Sequence, residues 1–264
     1  SRLSRHSGAT LPPSQIQQPD ESFMRSLATL AALALLAACA REPATAPEPT
    51  APPGEIPFVL FEASDALVED WQKFDIWRNT TFDLVPAGDA VAIRARAEGA
   101  SGVLARRLKV NPETCPQLEW TWAIEGLPST ADLSSKESED MAAALFVAFG
   151  DPGVFSNPAP VPTIRYVWAT TTDAKGSVVP SPYFPASIRS IVVRSGDEAV
   201  GERVTERRDL LSDYAAAFGG VPENNIEVFA LFIDSDHGEE PLEARFLSAR
   251  ALCLEKPEPP SIFD

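Results

Sequence analysis

Histidine and cysteine are scarce in this 264-residue chain: His6 and His237 are its only histidines, and Cys39, Cys115 and Cys253 its only cysteines. Multi-histidine zinc centres and cysteine-rich metal clusters are thereby excluded. Positive charge is also short, with 22 Lys and Arg against 38 Asp and Glu and a formal net charge of -16. Such a surface repels phosphate backbones and anionic headgroups, which argues against nucleic acid as a partner and against electrostatic docking on a membrane. No apolar run reaches the roughly 20 residues needed to span a bilayer. A Gly-rich phosphate loop and an internal repeat are missing as well. What is present is a 44% hydrophobic fraction, enough for one sizeable core or two small ones.

The N-terminal region reads as an address. Met24-Arg25 supplies a positive start, and "LATLAALALLAA", Leu27 to Ala38, is a small, apolar run too short to span a bilayer and of the length of a signal-peptide core. "LAAC", Leu36 to Cys39, resembles the bacterial lipobox, in which the Cys is acylated and begins the mature chain. Ala40 stands where an Asp would signal inner-membrane retention, so the resemblance implies an outer-membrane lipoprotein facing the periplasm, for a Gram-negative host. The bilayer, reached through acylated Cys39, is thus an expected partner. Residues 1–23 are polar and read as an over-extended, disordered start, 24–38 as the signal peptide, 39–57 as lipidated Cys and tether, and 58–264 as the folded domain. Six prolines between Ala40 and Pro57 fix φ and remove donors, giving an extended tether that reaches about 50 Å.

From Phe58 onward, short strand-forming runs alternate with Pro, Gly, Asp and Ser. They begin at Ala90, Gly102, Gln117, Met141, Thr163, Ser187, Ile226 and Glu243. In the first, Ile93, Ala95 and Ala97 oppose Arg94 and Arg96, the pattern of a sheet with one wet face. Eight or so strands without long helices between them predict an all-β fold, an antiparallel β-sandwich or jelly roll. "RDLLSDYAAAFGG" predicts one short helix, with Asp209 as N-cap, Leu210, Tyr214 and Phe218 on one face, and Gly219 at C′, plugging one end of the sandwich.

The blocks "PQLEWTWAIEGLPSTADLSSKESEDMAAALFVAF", "TIRYVW", "RDLLSDYAAAFGGVPENN" and "VFALFIDSDHG", in this order and spacing, resemble the bacterial envelope family catalogued as domain of unknown function 3047. The family pattern has Asp-Asp and then an Arg in the following strand; here Glu139-Asp140 takes the first place and Leu145 stands about where the Arg falls. The resemblance implies a fold and a compartment and supplies no reaction. The pattern is also similar to jelly rolls that bind carbohydrate.

Several constellations are candidates for function. Trp120 and Trp122 share one face of a strand, as do Tyr166 and Trp168. On a concave wet face these rings would stack on sugars; between sheets they would fill the core. Trp168, which leads into the polar loop "ATTTDAKG", is the best candidate for exposure, with Tyr166 and Trp122 beside it. Arg208 and Asp209, with Asp213 on the helix, form either a polar pocket or a helix cap. "KESEDM", with Glu139 and Asp140, and "DSDHGEE", with Asp234 and Asp236, cluster carboxylates. These suit glycoside hydrolysis, calcium, or a solvated turn. An EF-hand starting at Asp234 fails, because Arg245 stands at its twelfth position. His237 has no nucleophile elbow to serve. No cofactor is implied, calcium being the one ion considered. Cys115 and Cys253 could pair in an oxidising compartment, or remain free thiols. The leading expectation is a non-catalytic envelope lipoprotein binding a carbohydrate or similar ligand. A periplasmic glycan hydrolase using the paired carboxylates and a structural or assembly role are the alternatives.

Overall fold

The computed structural model describes residues 54–63, 70–154, 159–170 and 175–254. The apolar run, Cys39 and most of the proline-rich stretch lie outside the described residues. Among the described residues are thirteen strands and one helix. In chain order these are β1 (Ile56–Glu62), β2 (Gln72–Trp77), β3 (Thr81–Ala87), β4 (Ala90–Ala97), β5 (Ser101–Val110), β6 (Gln117–Ile124) and β7 (Met141–Phe149). There follow β8 (Thr163–Ala169), β9 (Val178–Pro180), β10 (Ile188–Ser195), β11 (Val204–Asp209), α1 (Leu210–Phe218), β12 (Ile226–Asp234) and β13 (Leu242–Cys253).

They build two facing sheets. A six-stranded sheet runs β11-β6-β13-β4-β3, with β1 alongside the C-terminal half of β13; a seven-stranded sheet runs β2-β5-β12-β7-β8-β10-β9. Each predicted run forms a strand at its expected place. One pairing departs from the antiparallel expectation: β8 and β10 are parallel. Parallel neighbours need a crossover, and the described part of the connection, from residue 175, contributes β9 to the sheet edge.

The core lies between the sheets, and the two aromatic pairs are its centre. Trp120 stacks on Tyr166 with ring centroids 5.1 Å apart, and Trp122 on Trp168 at 5.9 Å. Trp122, Tyr166 and Trp168 are completely buried, which removes them as ligand-binding residues. The energetics explain the choice. Each ring hides roughly 150–250 Å², worth about 4–6 kcal/mol at 25 cal/mol per Å², so a strand that can turn such residues inward does so. Their polar atoms are partly served: Trp168 Nε1 donates to Gly196 O at 3.1 Å, and the Tyr166 hydroxyl donates to Asp213 Oδ2 at 2.9 Å. Burial, then the Asp213 charge, pushes the Tyr166 phenol well above its ordinary pKa.

Helix α1 forms as the sequence predicts. Asp209 accepts from Ser212 N at 2.8 Å, and Gly219 closes the end at φ 79° with its N–H on Ala215 O. Tyr214 packs edge-on against Phe149 of the seven-stranded sheet, 4.8 Å between centroids. Cys115, in the turn from β5 to β6, is bonded to Cys253 at the end of β13, a sequence separation of 138.

Candidate functional site

The outer faces of the two sheets differ in chemistry. On the six-stranded sheet, directly opposed residues are charged or polar: Arg94 faces Asp83, Arg250 faces Glu119 and Thr121 faces Thr205, each pair in contact. This is the wet face. On the seven-stranded sheet, register carries one apolar row straight across and a second that is apolar at its centre and polar at its ends. One row is Phe74, Val103, Phe232, Ala144, Val167 and Val192; the next is Gln72, Ala105, Ala230, Phe146, Arg165 and Ser190. Paired residues share a face, so alanines make a floor between larger side chains. Phe146 and Phe232 stack on it at 5.0 Å. The connection from β6 to β7 folds back over part of this face and plants Leu133 among Ala144, Val167, Val192 and Phe232.

A polar rim closes one end of that face, where four stretches far apart in sequence meet. Arg165 is pinned there by an ion pair with Glu139 and donates from Nε to Ser190 Oγ at 2.9 Å; both members of the ion pair are almost fully buried. Asp140 accepts the backbone N–H groups of His237 and Gly238 at 3.1 and 2.7 Å, which fixes the turn after β12. A Cβ at position 238 would stand 3.0 Å from Asp140 Oδ2, so a side chain there would press on that carboxylate. His237 Nδ1 lies 2.7 Å from Asp236 Oδ1 and 3.3 Å from Asp140 Oδ1. Asp236 Oδ2 accepts from Ser101 Oγ at 3.0 Å. On the far side of the imidazole, Nε2 is 3.2 Å from the Tyr183 hydroxyl, which donates to Lys136 O at 2.8 Å.

The electrostatics of the rim follow from crowded carboxylates. Burial, together with the charge of Asp236, pushes the Asp234 carboxyl up to about 9, so it carries a proton at neutral pH. Burial and the charges of Asp236 and Glu139 likewise raise the Tyr183 phenol. Two exposed rings flank the cluster: Tyr183 is 46% exposed, and Trp77, opposite Ser101 in the register of β2 and β5, is 54% exposed. Side-chain contacts link Tyr183, His237, Asp236 and Ser101, and Trp77 stands opposite Ser101 in the strand register.

Of the residues singled out in the sequence, the structure brings Glu139, Asp140, Asp234 and Asp236 together at this rim. Glu139 is committed to Arg165, which corrects its reading as a ligand-binding group. Arg208 and Asp209 belong elsewhere, at the opposite end of β13. Arg208 Nε donates to Asp213 Oδ2 at 2.9 Å, and Asp209 caps α1 while accepting from Gln117 Nε2 at 2.7 Å. Both are structural, because every charge in that group is used to hold α1 on the sheet. Leu145 is fully buried between the sheets, and the guanidinium near Glu139 comes from Arg165 on the next strand. Sequence reasoning missed Tyr183, Trp77 and Ser101; no signal short of the register connects them. A separate groove of about 540 Å³, lined by Asn79, Arg96, Glu125 and Glu243, already pairs Arg96 with Glu243 and offers no comparable set of groups.

Residues 69–249 match the family described as protein of unknown function (DUF3047). The chain belongs to this family. No curated protein matches the sequence. Among solved structures, this DUF3047 chain is similar to the family 11 carbohydrate-binding module of cellulosomal cellulase Lic26A-Cel5E of Clostridium thermocellum. There the identity is 7% and the TM-score 0.38, covering 76% of this chain and 95% of that one. It is also similar to the carbohydrate recognition domain of Emp46p in its potassium-bound form, with 11% identity and a TM-score of 0.41 over 76% and 96% of the two chains. A third is the xyloglucanase domain of NopAA from Sinorhizobium fredii, with 7% identity and a TM-score of 0.40 over 77% and 99%.

Proposed function

We propose that this DUF3047 protein binds a carbohydrate, or a similar hydroxyl-rich envelope ligand, at the polar rim of its seven-stranded sheet. One observation carries the reading: exposed Trp77 and Tyr183 flank a contiguous set of hydroxyl-binding groups, Ser101, Asp236 and His237. Sugars present apolar ring faces and polar edges. Flat exposed rings meet the faces, and carboxylate, imidazole and hydroxyl groups meet the edges. In the same reading the domain is held at the outer membrane through acylated Cys39, with the proline-rich stretch as tether; the "LAAC" motif after the apolar run supports this. Titration with a panel of envelope and plant glycans is expected to give saturable binding, weakened about tenfold or more by Trp77→Ala or Tyr183→Ala. Binding unaltered in both variants removes the site. For the anchor, Cys39→Ser is expected to release the protein from membranes; unchanged retention removes the lipoprotein reading.

A hydrolase reading has one observation in its favour, the protonated Asp234 beside Asp236, since glycoside hydrolysis pairs an acid with a carboxylate. Product release from a bound glycan, lost in Asp234→Asn, would replace the binding reading with this one. If neither binding nor turnover occurs, a structural or assembly role is what stands.

A further inference from the structure

The hydrogen-bond polarity at His237 runs in one direction. The Lys136 carbonyl can only accept, so the Tyr183 hydroxyl spends its proton there. With the proton placed there, the Tyr183 oxygen offers lone pairs to His237 Nε2, an arrangement that suits a proton on Nε2 and a lone pair on Nδ1. In the neutral imidazole Nδ1 is therefore a bare lone pair, and it points at carboxylate oxygens of Asp236 and Asp140 at 2.7 and 3.3 Å. Lone pairs at such distances repel unless a proton or a metal ion stands between them. A second observation concerns one of these same carboxylate oxygens. Asp236 Oδ1 is buried and makes no hydrogen bond, its contact with the imidazole being too poorly aligned. It is one of five such orphaned side-chain atoms among the described residues. Asp234, only 7% exposed, enters the same cluster from β12, with one carboxyl oxygen accepting from Asp236 N at 3.3 Å.

We propose that Asp140, Asp236 and His237 form a binding site for a divalent transition ion of the Zn²⁺ or Mn²⁺ class. One ligating atom from each lies within 4.8 Å of the others, close enough for all three to reach one ion. The donor set favours such an ion over calcium, which takes six to eight oxygen ligands and no imidazole. The remaining contacts match what such a centre needs around it. Tyr183 holds the tautomer that frees Nδ1, and the N–H groups of His237 and Gly238 orient Asp140. With three protein ligands, at least one coordination position stays open beside Trp77 and Tyr183, where a sugar diol could complete it. The ion site does not depend on the glycan reading.

The full chain, stripped with EDTA, is titrated by calorimetry with Zn²⁺, Mn²⁺ and Ca²⁺ in the absence of glycan. One saturable site for Zn²⁺ or Mn²⁺ is expected, tighter than for Ca²⁺. His237→Ala should weaken it by more than about tenfold. Asp83→Asn, which alters a carboxylate on the other sheet, should leave it unchanged. A readout in the wild type keeps the result independent of how variants fold: substoichiometric Mn²⁺ should broaden the amide resonances of Asp140, Asp236, His237 and Gly238 before others. Absence of saturable binding, preference for Ca²⁺, equal affinity in His237→Ala, or broadening centred elsewhere would each overturn the site.

Discussion

Asp234 shows how far a single side chain can be moved by its surroundings. A carboxyl in the unfolded chain loses its proton near pH 4, whereas in the fold this one keeps it until about 9. The folded state therefore binds more protons across that interval, and every step upward in pH favours unfolding. The contribution of Asp234 is complete below about pH 4 and declines as pH rises toward 9. Asp234→Asn keeps an acceptor for Asp236 N and removes the titration. In metal-free buffer the variant should melt above the wild type at pH 8, each kcal/mol shifting the midpoint by about 2–4 °C, and the advantage should vanish at pH 4. An advantage that is the same at both pH values would contradict the buried, protonated carboxyl. Trp77 offers a second check at this scale. Of the five tryptophans it alone is more than 9% exposed, so acrylamide should quench only its emission. Trp77→Phe should abolish the accessible fraction, and a ligand seated at the rim should protect it.

Among the elements, α1 depends on its cap. Asp209→Ala removes the acceptor for Ser212 N and the partner of Gln117, with an expected loss of about 1 kcal/mol or more in urea unfolding. β5 depends on a close approach: a Cβ at Gly102 would stand 2.2 Å from Thr80 Oγ1, and Thr80 is buried. Gly102→Ala should cost about 1–3 kcal/mol and be relieved in part by Thr80→Ala. Elements also explain what could be read in advance. β4 alternates from Ile93 to Ala97, and β7, β8 and β12 are largely apolar runs, interrupted at Arg165 and Glu227, because both faces of those strands are mostly covered. β2, nearly all exposed, and β11, "VTERRD", sit at sheet edges; solvent leaves β2 without a period, and β11 keeps only a short alternation of buried Val204 and Glu206 with exposed Thr205 and Arg207. β3 carries Pro86 and β9 ends in Pro180, both at edges that tolerate a missing donor. The carboxylate clusters were visible as charge, but not their convergence, which joins positions 101, 140, 183 and 236. Spacing put Tyr166 and Trp168 on one face correctly; it carried no information on which side of the sheet that face would be.

For the whole molecule, the asymmetry between a charged outer face and an apolar one decides where a ligand can sit, and the disulfide decides how the sandwich holds together. Cys115 and Cys253 restrict the unfolded chain by a closure of 138 residues. On the chain-entropy account that is worth about 4–5 kcal/mol. Cys115→Ser with Cys253→Ser should lower the unfolding free energy by up to that amount, with thiol labelling confirming that neither cysteine is reactive in the unreduced wild type. The bond also sets a load path. Ile56, where the chain enters the fold, lies opposite Cys253 in the register of β1 and β13. A pull arriving from the N-terminal side thus meets the covalent staple at its first hydrogen-bonded pair. Tension passes from β13 through sulfur to the turn that leads from the seven-stranded sheet into the six-stranded one. The strand that β1 pairs with is thereby reinforced at the end where β1 begins, so reduction should lower the rupture force under traction applied on the N-terminal side of Ile56.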